Sequence, residues 1–483
     1  VIGQSSLVFA MRGVLLLPTL GLTLAWAQQP QAGAVRAESD SKALEREFKS
    51  AEAAYDAGRL PEAEALLKKL EVQAPKSFEV HELLGLTYAA ESKDANAVEE
   101  MDTAVRLQPR AAAARTNLAT ALMHAGDPGR AKAEYIAALK LDPRDYSANH
   151  NLAGIYLQAN DIAAALPLLE AAQQVHPDAY DNGYDLALAD LLTGNLKESR
   201  ALVTELVKQK DAGELHNLLG RIDEKEGAFV EAANEFAAAA SMDPSEDNLF
   251  IWASELLLHR TYVPAIDMFS EATKRYPKSP RLFIGLGMAL YSRGEYESAV
   301  KALLTAADLN PKDPRCYLFL SKAYLSSPQQ AEDVIDRFRR YAELEPESAL
   351  AQYYYALSLW KGRRLESHEV EYAKVESLLR KAIALDGSLA DAHLQLGILY
   401  TDEREYEKSL PEYQRALEIS PNLPDAHFRL GRYYLHAGEK EKAQSEFDVF
   451  KKLQSEHQAE EDKARAEVQQ FIVSSQTSFP SQP

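Results

Sequence analysis

Prolines stand at Pro75, Pro109, Pro143 and Pro177, each 34 residues after the one before. A period of this size means that one supersecondary unit is copied along the chain, each copy burying its apolar face against its neighbours. The runs before the prolines are alike: "VQAP", "RLQP", "KLDP" and "QVHP", then "SMDP", "RYP", "LNP", "LEP" and "ISP", ending at Pro244, Pro277, Pro311, Pro346 and Pro421. An array of similar units, rather than a set of unrelated globular domains, follows from that spacing.

Within the period, small and large residues hold fixed places. Twelve residues before a proline stands an alanine, as in Ala63, Ala97, Ala131, Ala165, Ala232, Ala265 and Ala299, and eight before it a large residue such as Met101, Tyr135, Leu169, Phe236, Phe269 or Leu303. Twenty-four before it is Gly or Ala (Ala51, Gly85, Ala119, Ala153, Gly220, Ala253, Gly287), followed three residues on in many units by Tyr or Leu, as at Tyr88, Leu122, Tyr156 and Leu290. Spacings of three and four put such pairs on one helical face, so each unit reads as two antiparallel helices whose axes close up where the small residues meet. Polar turns such as "HAGDPGR", "QANDIA" and "SRGEYES" stop the first helix and cap the second, and the proline ends it.

A small residue with Leu or Tyr near it, then Ala and a large residue four later, then proline, over 34 residues, resembles the tetratricopeptide repeat family. "LLGLTYAAESKDANAVEEMDTAVRLQP" and "QLGILYTDEREYEKSLPEYQRALEISP" are good copies, and the resemblance covers about residues 44–455. It implies an all-α, right-handed superhelical solenoid of about twelve helix-turn-helix units. Three copies depart: the fifth ends on Asp211, the tenth on Gly387 and the twelfth on Ser455. The tenth also carries about seven extra residues around "KGRRLESHEVEYAK", expected to lengthen its helices or bulge from the array.

The ends differ from the array. "MRGVLLLPTLGLTLAWA" has a basic residue, an apolar run and a small-x-small end, so residues 1–27 read as a secretory signal with Met11 as its start. The other reading, an uncleaved anchor, must contend with Pro18, Gly21 and a run short of the ~20 apolar residues of a membrane span. No cysteine lies near the cleavage point, so a lipid anchor of the bacterial type is not expected. Residues 28–43 read as a flexible linker, 456–473 as a capping helix and 474–483 as a disordered tail. The exported chain would lie in the periplasm or outside the cell.

Lys and Arg number 53 against 73 Asp and Glu, a formal charge of -20, which argues against nucleic acid or an anionic membrane surface as partner. Cys316 is the only cysteine, so there is no disulfide framework and its expected role is that of a small buried hydrophobe. Catalytic and cofactor chemistry finds no home: there is no phosphate loop, and His368-Glu369 lacks the second histidine of a metalloprotease helix. His393 and His427 lie 34 residues apart without a third ligand and read as helix-surface residues, so neither metal, cofactor nor enzyme activity is expected.

In the tetratricopeptide repeat family the first helices line a concave groove, and an asparagine two residues before the small residue contacts the backbone of a bound peptide. Asn117 in "TNLATAL" and Asn151 in "HNLAGIY" resemble that asparagine, one repeat apart. An amide both donates and accepts, so two stacked amides suit a peptide main chain, or water. Relatives that clamp an acidic C-terminal tail add lysine or arginine at adjoining places; here those places hold Ala113, Asp181 and Asp185, so an acidic tail would be repelled. Tyr354, Gln395 and Arg429 share the asparagine register in later repeats, and in "QYYYALSLW" one tyrosine is expected to pack and at least one to be exposed. The expected function is a non-enzymatic scaffold that binds protein or an extended peptide. Two alternatives stand beside it: an accessory subunit of a glycosyl-transfer or polysaccharide-export machine, and a structural part of an envelope assembly using the convex face.

Overall fold

Apolar periodicity in this chain is helical throughout, and the computed structural model describes residues 34–326, 331–362 and 372–456 as helices joined by short turns. Among the described residues there are 24 α-helices and no strand. The chain divides into two compact units, up to Asp211 and from Ala212.

The first unit holds α1 (Ala34–Asp56), α2 (Leu60–Gln73), α3 (Phe78–Ala90), α4 (Asp94–Leu107) and α5 (Ala112–His124), followed by α6 (Pro128–Leu141), α7 (Tyr146–Gln158), α8 (Ile162–Val175), α9 (Tyr180–Thr193) and α10 (Leu196–Gln209). The second begins with α11 (Gly213–Glu226), α12 (Phe229–Met242), α13 (Glu246–Leu258), α14 (Tyr262–Arg275), α15 (Pro280–Arg293) and α16 (Tyr296–Leu309). It continues through α17 (Pro314–Ser326), α18 (Ala331–Leu344), α19 (Ala349–Leu357), α20 (Tyr372–Leu385), α21 (Ala390–Asp402), α22 (Tyr406–Ile419), α23 (Pro424–His436) and α24 (440–456). Within each unit successive helices pack as hairpins and each hairpin packs on the next, and the helices number the twelve pairs that the period predicts.

The small-and-large lattice is a packing rule that recurs from hairpin to hairpin. A methyl group at Gly85, Gly220, Gly287, Gly397 or Gly431 would lie 2.5–2.8 Å from the side chain sixteen residues on, respectively Met101, Phe236, Leu303, Tyr413 and Phe447. Ala63, Ala97, Ala131, Ala165, Ala232, Ala265 and Ala299 have no exposed surface. Such interlocking leaves little room for volume change in either partner.

Between the two helices of a hairpin the chain turns through one left-handed residue, Gly58, Gly126, Gly194, Gly227, Gly294 and Gly438 in six pairs. Where glycine is missing, Ser92, Asn160, Arg260 and Arg404 adopt the same conformation with φ between 56 and 64°. Side chains of Asp127 and Asp161 then accept from a backbone N–H three residues on and cap the second helix, and Asp145 caps the first helix of its hairpin, α7, in the same way.

One local expectation is corrected. The linker expected over 28–43 is helical from Ala34, because "AVRAESDSKA" is rich in helix formers and follows Gly33. In the tenth unit a π-helical turn, Ser358–Gly362, lengthens α19, one of the two outcomes expected there. Residues 1–27, the tail 474–483 and the expected cap beyond residue 456 lie outside the described residues.

Candidate first-helix binding faces

Helices α3, α5, α7 and α9 are the first members of successive hairpins in the first unit, and their side chains meet across the helix boundaries. Asn117 of α5 donates through Nδ2 to Glu82 Oε1 of α3 at 3.5 Å. Asn151 of α7 lies beside the Tyr135 hydroxyl, which pairs with Thr120 Oγ1 at 2.9 Å. Both asparagines are half-buried, and each carboxamide already has a polar neighbour inside the fold. The amide ladder is thus also a structural device, with Asn117 Oδ1 still open to a ligand N–H.

The charge on this face is negative. Burial and the neighbouring carboxylate of Glu79 hold the Glu82 carboxyl up at about 7 despite the Asn117 hydrogen bond. Asp185 of α9 is likewise pushed up to about 7, by burial first and then by Asp181 one turn earlier on the same helix. Asp181 itself is exposed. Tyr146 and His150, one turn apart on α7, stack at 5.8 Å, and His150 Nδ1 reaches Asn182 Oδ1 of α9 at 3.2 Å. Burial lowers the His150 pKa, so the ring opposite Asp181 supplies little positive charge near neutrality. No lysine or arginine contributes to the surroundings of Glu82 or Asp185.

In the second unit the asparagine register is filled differently. Tyr354 is only 6% exposed, with its ring 6.0 Å from Phe338 and 5.5 Å from Tyr353. It packs instead of anchoring a partner. The expectation that one tyrosine of "QYYYALSLW" is exposed fails for all three, because α19 lies against α17, α18, α20 and the π turn and is buried from Ala351 to Trp360. Gln395 of α21 and Arg429 of α23 stand in one register, and neither Gln395 Oε1 nor Arg429 Nε, both shielded from solvent, has a hydrogen-bond partner among the described residues. An orphaned acceptor and an orphaned donor each cost about 1–3 kcal/mol, and one peptide group offers what both lack.

His393 and His427 are not surface histidines. Nδ1 of each meets a second-helix carboxylate nineteen residues on, Glu412 and Glu446, at 2.6 Å. His81 and His216 pair in the same way with Glu100 and Glu235, and Arg115 with Glu134. The recurring nineteen-residue spacing of His or Arg to Glu was legible in the sequence beside the proline period. A second rule needs the structure to be seen: the residue six after a repeat-ending proline donates to that proline's carbonyl, as do Arg115, Asn149, Tyr317 and Gln352. Cys316 is buried, as expected, its thiol pushed up to about 12 and bonded to the Asp313 carbonyl. His368 lies outside the described residues.

Comparison with known proteins places these hairpins. Profiles described as "Tetratricopeptide repeat" match residues 48–112, 95–135 and 116–182, and a further one matches 156–222. One described as "TPR repeat" matches 287–327 and 399–438. No curated protein matches the sequence. Among solved structures the chain is similar to yeast Tom70, at 14% identity over 90% of this chain and 97% of that one, with a TM-score of 0.37. The Cut9–Hcn1 heterotetramer of APC/C is similar at 16% identity over 80% and 89%, with a TM-score of 0.34. MamA is similar at 22% identity over 36% of this chain and 97% of that one, with a TM-score of 0.28.

Proposed function

The chain is a tetratricopeptide repeat protein, and from that premise we propose that it is a non-enzymatic scaffold of the cell envelope that holds an extended, cationic segment of a partner protein. The observation that carries this reading is the first-helix face of the first unit, where Glu79, Glu82, Asp181 and Asp185 accompany Asn117 and Asn151 without a compensating lysine or arginine. A lysine or arginine side chain from a partner would meet two carboxyls that the fold leaves protonated near neutrality, and would favour their ionised form. The asparagines would take the partner's main chain. An acidic C-terminal tail would meet like charge at Asp181 and Asp185 and be refused.

Export supports an envelope setting and rests on the apolar run before Ala27. Among the described residues no helix is long and apolar enough to cross a membrane. In the second unit, Gln395 and Arg429 extend the same chemistry, a main-chain N–H to one and a carbonyl to the other.

Photo-crosslinking tests the reading. A photoreactive residue at Asp181, on the first-helix face, is expected to capture partner protein in producing cells. The same residue at Glu205, exposed on the second helix of that hairpin, is expected to capture little. Capture from Glu205 alone would favour the opposite face and overturn the reading.

A further inference from the structure

Four repeats join a first-helix histidine to a second-helix glutamate nineteen residues later: His81–Glu100, His216–Glu235, His393–Glu412 and His427–Glu446, all at 2.5–2.6 Å. At the first of these a third group enters. Glu71 of α2 approaches so that one ligand atom from each of Glu71, His81 and Glu100 lies within 4.8 Å of the others. Ten residues before the other three histidines stand Leu206, Ile383 and Leu417. The fold therefore asks for an apolar side chain at this place, and an acid there has another cause.

Glu71 is also placed against its own helix. It lies in the last turn of α2, where unpaired carbonyls give the helix its negative end, and no basic residue sits in that turn. Its carboxylate has no hydrogen bond or ion pair among the described residues. Nε2 of His81 is 3.2 Å from the Pro75 carbonyl, which can only accept, so Nε2 carries the hydrogen. In the neutral ring that leaves the Nδ1 lone pair turned toward the two carboxylates. A ring N–H held by a backbone carbonyl while the other nitrogen faces acidic groups is how metal-binding histidines are oriented. His427 shares the carbonyl bond, to Pro421 at 2.8 Å, but faces one carboxylate, which a single imidazolium neutralises. Around His81, two carboxylates and a helix end outnumber one imidazolium.

We propose that Glu71, His81 and Glu100 bind a zinc-type divalent cation at the junction of α2, α3 and α4. A neutral imidazole, two carboxylates and a dication sum to zero charge. Tetrahedral zinc with bonds near 2.1 Å sets its ligand atoms about 3.4 Å apart, so the Glu71 side chain closes in and the proton between His81 and Glu100 leaves. Three protein ligands leave a fourth position for solvent.

Zinc binding to the chelator-stripped full chain, read by calorimetry and by metal content after dialysis, tests this. The wild type is expected to hold one zinc per chain. Glu71→Gln, which keeps the His81–Glu100 pair and the fold, is expected to weaken zinc binding by at least about tenfold. Glu446→Gln, in the sister pair without a third acid, is expected to leave it unchanged. A wild type that retains no zinc, a Glu71→Gln chain that retains as much, or equal losses in the two variants would each overturn the site. Cobalt gives a second readout, a tetrahedral visible spectrum in the wild type that Glu71→Gln lacks.

Discussion

Taking a carboxyl from water costs free energy unless something compensates it, and Glu82 and Asp185 are compensated by protons. Their folded values of about 7 lie above the ordinary 4.5 and 3.8, so between those limits the folded chain binds more protons than the unfolded one. Stability then falls as pH rises through that window and is at its lowest above 7. Asp185→Asn removes the penalty. Thermal denaturation should show the variant more stable than wild type at pH 8, on the order of 1–3 kcal/mol, and little different at pH 3.5. Equal gains at both pH values would mean that the gain comes from elsewhere. Asp185 could be found in the sequence because it shares the register of Asn117 and Asn151, and Asp181 because it stands one turn before it in the register of Ala113, whereas Glu82 and His150 could not. Their part in the face depends on which neighbour each helix turns toward, and a residue count along one register does not contain that. Tyr354 shows the converse, a register position that packing by four surrounding elements takes out of solvent.

At the scale of the element, the hairpins are set by a small residue facing a large one sixteen positions on. Gly220→Ala places a methyl 2.6 Å from the Phe236 ring and should destabilise by about 1–3 kcal/mol, measured by chemical denaturation. A neutral result would mean that α11 and α12 can part at no cost. The turns give the opposite sign. Arg404 holds φ at 64° where other hairpins use glycine, so Arg404→Gly should leave stability unchanged or raise it by up to about 1 kcal/mol, whereas a β-branched residue there should lower it. The period made both kinds of position legible, since it places each against its copies. It could not show the early start of α1 or the π turn after α19, which occur once each and have no copy to be compared with.

For the molecule as a whole, repetition explains both what is strong and what is silent in the sequence. Each hairpin buries its apolar faces only on its neighbours, so the stability of an array is spread along it and its exposed faces are free to vary from repeat to repeat. In the function proposed above those faces hold the partner, and the chain's charge of -20 favours a cationic one. Rising salt should weaken partner capture, since the attraction is between charges at a partly solvated face. Calorimetric titration of the full chain at pH 8 and low salt is the most direct test, comparing an extended lysine- and arginine-containing peptide with its glutamate-substituted counterpart. The account predicts that the cationic peptide binds, that the acidic one does not, and that the Asp181→Asn, Asp185→Asn double variant binds the cationic peptide at least about tenfold more weakly, a loss of ~1.4 kcal/mol. Equal binding of the two peptides, or an unchanged affinity in the double variant, would contradict it.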